Sequence, residues 1–279
     1  MTDRTTNVPE IVITAENSGT RYWAELWRFR ELLLLLAWRD ILVRYKQTLL
    51  GISWAVLRPF FTMVVFTLIF GRLANLPSHE VPYPLLVFAG VLAWQYFAST
   101  FADASNSLVG NANMIAKVYF PRMVVPLSTM VVGVVDMAIT TCLYVALTVW
   151  YGYPPDWHVV FLPAFVLLLF LFTLASSIWI SALNVTYRDF RHLVPFVIQL
   201  GAYVSPVGFS SSIVPEQWRL LYSLNPLVGI IDGFRWCLLR GSVPLDITGV
   251  LFATVVTCGL LFYGVTLFKR QERHFADVI

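Results

Sequence analysis

Charge is what this chain has least of. Only 13% of its 279 residues are Asp, Glu, Lys or Arg, against about 25% in an ordinary soluble domain. That is too little to solvate a globular surface, and it argues against a soluble enzyme. The net charge of +3 is too small to suggest a polyanion such as nucleic acid as partner. Three cysteines, Cys142, Cys237 and Cys258, share no CxxC or other metal-ligand spacing and read as small buried hydrophobes. His79, His158, His192 and His274 are scattered and form no HExxH-like cluster, so no metal site is expected. No phosphate-cradling loop of the GxxxxGK[ST] type occurs, nor a GxGxxG between a strand and a helix. The chain therefore carries no recognisable means of hydrolysing ATP, and no catalytic residue or bound cofactor is assigned. The first residues hold Asp3, Arg4, Glu10 and Glu16 without an apolar core, so 1–21 read as an uncleaved tail rather than a signal peptide.

What is present is apolar: 58% of residues are hydrophobic and 15% aromatic. A crossing helix needs about 20 mostly apolar residues, because the hydrocarbon is about 30 Å thick. Six segments qualify, at about 51–70, 84–101, 123–150, 159–185, 193–209 and 247–268. The expected class is an all-α polytopic membrane protein, with 48–279 forming one six-span transmembrane domain. Residues 22–47 are too short in their apolar run and too flanked by charge to cross. They read as an amphipathic helix lying in the interface, with Trp23, Trp27 and Trp38 at headgroup depth. A plain soluble helix is the alternative. Residues 215–240 read as two short re-entrant helices or, alternatively, a surface hairpin. Pro215 suits the first turn of one; Asn225 and Pro226 supply an N-cap and first position for the next, and Gly241 a stop. Glu216, Arg219, Asp232 and Arg235 mark this pair as water-facing.

The basic residues are unevenly placed. With the N-terminus inside, the cytoplasmic segments hold most of them, from Arg4 through Lys117 and Arg122 to Arg188, Arg191 and Arg273. The outer loops hold only Arg72, Arg219, Arg235 and Arg240. The positive-inside rule then puts both termini in the cytoplasm.

Two charges interrupt the spans. Arg58 and Asp136 sit at similar depth in the cytoplasmic half, and an intramembrane charge is a functional candidate by default. Either they pair and fix spans one and three, or Arg58 snorkels while Asp136 faces a polar cavity. Most aromatics suit interfacial belts and helix packing. Phe60, Phe61, Phe66 and Phe70 in the first span, with Tyr203 and Phe209 in the fifth, could instead line a path for sugar rings, whose C–H faces pack on aromatic rings. The loop 103–122 ends in Phe120-Pro121-Arg122. A short helix at about 106–119, offering Met114, Ile115 and Tyr119 beside Lys117, would make a docking knob for a cytoplasmic partner; a plain connector is the alternative.

Five ordered segments carry a resemblance: WRDILVRYKQTLLGISWAVLRP (38–59), NANMIAKVYFPRMVVPL (111–127), NVTYRDFRHLVPF (184–196), SLNPLVGIIDGFRWCLLRG (223–241) and FKRQERHFADVI (268–279). Together they resemble the transmembrane subunits of type-2 ABC exporters that move O-antigen, capsule or teichoic-acid polysaccharide. The resemblance implies a homodimeric permease in the bacterial inner membrane, joined by two copies of a separate cytoplasmic ATPase that would hold ATP and Mg. It implies a lipid-linked glycan as substrate. Asn113, Met114, Ile115, Lys117 and Tyr119 would lie in a groove on the ATPase. The first and fifth spans would line the channel, and Glu216, Arg219, Asn225, Pro226, Asp232 and Arg235 would belong to an outer gate. A lipid or drug exporter on the same scaffold is the alternative. A membrane-embedded glycosyl- or acyltransferase should show acidic or histidine clusters near one interface, and none is seen.

Overall fold

The structure, a computed structural model, describes residues 19–46, 52–78, 80–187, 189–272 and 275. The remaining tail, the junction at 47–51, His79, Arg188, Arg273, His274 and the last four residues lie outside the described residues. The described residues form helices and loops, without a strand.

The N-terminal amphipathic segment is two helices rather than one, α1 (Gly19–Arg28) and α2 (Arg30–Lys46). In α2, Leu36 and Ala37 are buried, while Leu34, Leu35 and Trp38 face outward. The buried face rests on α6 (Val124–Trp150). Helix α3 (Ile52–Phe66) contains Pro59 and widens into a π-helical stretch over Thr67–Leu73.

Helix α4 (Tyr83–Gly110) is the hub. Its 28 residues extend about 42 Å at about 1.5 Å per residue. It packs against α3, α6, α7 (Leu162–Thr186), α8 (Phe190–Val204) and α10 (Pro226–Leu238). Leu85 to Ala93 are buried without interruption. A helix apolar on every side is stable only when surrounded. Its C-terminal continuation also takes up residues 106–110, the expected start of the docking helix. Beyond Asn111 the docking helix is reduced to a single turn, α5 (Ala112–Ile115).

Helix α7 is entered through a 3₁₀ turn, Trp157–Phe161, whose first N–H is accepted by the Asp156 carboxylate at 2.6 Å. Helix α9 (Glu216–Ser223) is short and exposed. Helix α11 (Ile247–Glu272) packs on α7 and α10. Its first turn is capped by Asp246, which accepts from the Thr248 N–H at 3.0 Å and the Ser223 hydroxyl at 2.8 Å. At the α10–α11 crossing Gly229 abuts Gly249: a Cβ on Gly229 would lie 2.4 Å from the Gly249 carbonyl. Small residues let helices approach to backbone contact there.

Among the described residues five helical segments, against the six expected, are long and apolar enough to cross a membrane by themselves: Ser53–Leu73, Tyr83–Gly110, Val124–Trp150, Trp157–Thr186 and Ile247–Glu272. The segment expected at 193–209 departs from this. Helix α8 has 15 residues, roughly 22 Å, against about 30 Å of hydrocarbon. It stops because Pro206 forces Ser205 out of the helical region, to φ −96° and ψ 149°. The apolar run continues past that break, which is why hydropathy overextends it.

The three cysteines are free; Cys237 is buried, but Cys142 and Cys258 are exposed on outer helix faces. An apolar residue facing lipid reads in sequence like one facing a core.

A polar cavity, a docking turn and a buried charge lock

Between α2, α3, α4, α6 and α8 lies a cavity of about 810 Å³. Arg44, Arg58, Asp103 and Asp136 give it charge, and Tyr45, Trp54, Trp94 and Tyr96 give it aromatic walls. The Asp136 carboxylate accepts from the Arg44 guanidinium and from the Tyr45 hydroxyl, and Arg44 also reaches Asp103 on α4. Burial, and then Asp136, push the Tyr45 phenol above its ordinary pKa, so it stays a proton donor in this contact. The last turn of α2 is thus pinned to α4 and α6 by one arginine.

Asp136 therefore takes Arg44 and Tyr45 as partners, and the Arg58–Asp136 pair is not formed. Arg58 is exposed on the α3 wall of the same cavity. Among the described residues it makes no ion pair. Matching depth along two helices brings both charges to one cavity, but depth says nothing about which way round each helix faces. The role of Arg44 is hidden in the sequence because its helix reads as lying apart from the spans.

The six aromatics expected in the first and fifth spans divide. Phe66, Phe70 and Phe209 pack together, with ring centroids 5.6 Å and 5.9 Å apart along that series. Gly208 makes room for Phe70, whose ring would lie 2.7 Å from a Cβ there. The Tyr83 hydroxyl closes this knot by donating to the Gly208 carbonyl at 3.0 Å. Phe60, Phe61 and Tyr203 point outward instead, Tyr203 with 74% exposure. None of the six is in the cavity wall; the rings that are come from α2, α3 and α4.

The turn expected to dock a partner is built from two anchors and a polar tip. Ile115 and Phe120 are buried in a cluster with Tyr22, Leu108, Met123, Phe268 and Phe275. Asn113, Lys117 and Tyr119 are exposed and Met114 half-buried. Ile115, expected on the docking face, is an anchor because α5 is one turn long and must root itself somewhere. Asn111 caps the connection: it accepts from Arg39 at 3.1 Å and donates to the Ser107 carbonyl at 2.9 Å. Below the turn, the Glu272 carboxylate accepts from the Arg122 backbone N–H at 2.6 Å and the Tyr22 hydroxyl at 2.8 Å. Tyr119 reaches Glu25 of α1 at 3.4 Å.

At the opposite end, residues 215–240 are not uniformly water-facing. Glu216 and Arg219 on α9 are exposed, and Asn225 caps α10 by accepting from the Leu227 N–H at 3.1 Å, with Pro226 in the first turn. Asp232 and Arg235, however, are fully buried. This corrects the reading of both as water-facing. Three residues apart, they share one face of α10, and that face points into the protein. Arg235 lies 3.6 Å from Asp232. It donates to the Leu86 carbonyl of α4 at 3.2 Å and to the Val207 carbonyl at 3.0 Å. Gly90 leaves space for it; a Cβ there would come within 2.7 Å of the guanidinium and 2.6 Å of the Val207 carbonyl. One arginine joins α10, α4 and the non-helical stretch after α8. Among the described residues no cluster of side chains suited to a metal ion occurs.

Comparison with known proteins gives this architecture a family. Residues 31–239 match the ABC-2 type transporter family. The O-antigen export system permease protein RfbA of Myxococcus xanthus is 29% identical over 259 residues, 91% of this chain and 98% of the relative. The protein of the same name from Klebsiella pneumoniae is 28% identical over 251 residues, 89% and 95% of the two chains. The inner membrane transport permease YadH of Escherichia coli K12 is 27% identical over 221 residues, 74% and 85%. The matched region takes in α2, the cavity, the docking turn and the Arg235 lock. With its apolar helices and these relatives, this multi-pass membrane protein belongs to the ABC-2 type transporter family.

Proposed function

We propose that the chain is the channel-forming permease of an ATP-driven exporter that carries a lipid-linked polysaccharide, of O-antigen, capsule or teichoic-acid type, out of the bacterial cytoplasm. The observation that carries this reading is the end-to-end match to a permease named for O-antigen export, which covers 91% of this chain and 98% of that relative. No phosphate loop is present in the sequence, so ATP and Mg belong to a separate ATPase, as expected for this family. In this reading two copies of the chain meet along α3 and α8, whose outward faces carry Phe61, Phe196 and Tyr203. The sixth crossing is completed by α8 together with the stretch 205–210. Both termini lie in the cytoplasm of an inner-membrane protein, as the basic residues favour. The α5 turn then projects toward the ATPase, with Met114 and Lys117 near its tip. Closure of the ATPase pair would turn α5 and, as a rigid-body movement, open the path. The short helices α9 and α10 would close it from outside, α9 as the moving piece.

The test is export itself. A strain without the chain should lose surface glycan while lipid-linked glycan accumulates inside, and the wild-type chain should reverse both. Undiminished surface glycan overturns the assignment. With Met114→Asp and Lys117→Glu together, export should stop while the assembled exporter still hydrolyses ATP; undisturbed export removes α5 from the coupling role.

A further inference from the structure

A second large concavity lies on other elements entirely. It measures about 1000 Å³ and is lined by Trp23 of α1, Leu174 of α7 and one stripe of α11. The stripe runs through Cys258, Leu261, Phe262, Val265 and Thr266 to Lys269 and Arg270. These positions recur every three to four residues, so they form a continuous strip along one helix face. From Cys258 to Arg270 the strip is roughly 18 Å long, close to one leaflet of a bilayer whose hydrocarbon is about 30 Å thick. It is apolar for all but its last turn, where two cations stand.

Lys269 is held in place. Its ammonium sits 4.4 Å from the ring centroid of Tyr22 and 4.9 Å from that of Trp23. Tyr22 is itself fixed by its hydrogen bond to Glu272. Among the described residues neither Lys269 nor Arg270 forms an ion pair. Trp23 is about half exposed, with its ring at the polar end of the groove, where indole rings settle in membranes. The groove shares no residue and no helix with the α3–α8 cavity.

We infer that this groove is a binding site for an anionic phospholipid in the leaflet that holds the C-terminal end of α11. One acyl chain would lie along Leu261, Phe262 and Val265. The phosphoryl group would sit beside Lys269 and Arg270, under Trp23. The chemistry is complementary at both ends: an apolar wall of leaflet length, and two cations that form no ion pair among the described residues. A bound lipid would bridge α1 to α11, where the described contact is the aromatic clasp on Lys269 and the Tyr22–Glu272 bond. The glycan's own lipid carrier is not the occupant in this assignment, since the groove lies apart from the cavity.

Retained lipid on the purified full exporter is the measurement, by native mass spectrometry after reconstitution in nanodiscs. Discs of phosphatidylcholine alone are compared with discs containing one-fifth phosphatidylglycerol, as a mole fraction of roughly that size. The wild type should retain phosphatidylglycerol in preference to phosphatidylcholine. Lys269→Gln with Arg270→Gln should weaken retention about 30-fold, taking the membrane-surface value of each cation as independent. Thr266→Trp, which fills the groove and leaves both cations, should abolish it with an unchanged Tm. Equal retention of the two lipids, or undiminished phosphatidylglycerol on the groove-filled variant, overturns the site. Displacement of the retained lipid by polyprenyl phosphate assigns the groove to the carrier and overturns the phospholipid reading. A disulfide between Phe262→Cys residues of two copies gives it to a second subunit, with the same consequence. None of these readouts requires glycan export.

Discussion

The two halves of this molecule treat charge in opposite ways. Where α4, α7, α10 and α11 meet, the charged pair Asp232 and Arg235 is sealed from solvent, and Arg235 is hydrogen-bonded to the backbone of neighbouring segments. Where α2, α3, α6 and α8 surround the cavity, Arg44, Arg58, Asp103 and Asp136 stay half-open to it. The packing is divided in the same way. The α4 segment is buried through most of its length, while the α3 segment has only Pro59 and Met63 buried. The lesson is that the charges of the first half are satisfied inside one chain, whereas those of the second face an open cavity. A permease that needs a fixed frame and a deformable path would divide itself in this manner.

The comparison can be broken most severely at the lock. Arg235→Leu leaves Asp232 buried without its cation and should cost about 3–5 kcal/mol, read as a large fall in Tm of the purified protein. Arg235→Leu with Asp232→Leu should recover most of that loss, because the uncompensated charge is gone. If the double variant is as unstable as the single, the pair is not what the site depends on. Next comes Gly90→Ala, whose methyl group meets Arg235 and the Val207 carbonyl. Overpacking of this kind costs about 1–3 kcal/mol, so an unchanged Tm would show that the arginine can move aside.

On the open side the effects should be smaller in stability and larger in transport. Asp136→Asn removes one of the two carboxylates that Arg44 meets among the described residues, at a partly exposed site. It should lower stability by about 1 kcal/mol or less after solvent screening while loosening α2, seen as faster protease cleavage near residue 46. Arg58→Gln should leave the stability within about 0.5 kcal/mol of wild type, since Arg58 makes no ion pair among the described residues. Its effect should fall on export rate alone. A stability loss as large as that at Arg235 would erase the distinction between the two halves.

Much of the frame is legible in the sequence. Apolar runs find the long helices, and Asn225-Pro226 announces the start of α10 because capping chemistry is local. The failures share a cause: sequence gives position along a helix but not the direction a face points in the assembled bundle. Asp232 and Arg235 look like solvent residues because charge usually is, and their spacing alone says only that they share a face. Arg58 and Asp136 are matched in depth and mismatched in partner. Arg44 and Tyr45 can be found by asking which charged residue just before the first span is able to reach back. Pro206 is a readable signal against a full-length fifth span, outweighed by the apolar residues around it.

Glu272 shows how one carboxylate can tie distant parts of the chain together. Its two oxygens serve two distant parts of the chain, the Tyr22 hydroxyl and the backbone N–H of Arg122. The second of these is indifferent to the side chain at 122, so substitution there leaves it in place. A carboxylate that joins the start of the chain, the root of the docking turn and the end of α11 is a common hinge pin. Its loss would remove both hydrogen bonds at once and leave the three joined only by their buried apolar cluster, whereas losing Tyr22 alone would keep the bond from the turn to α11.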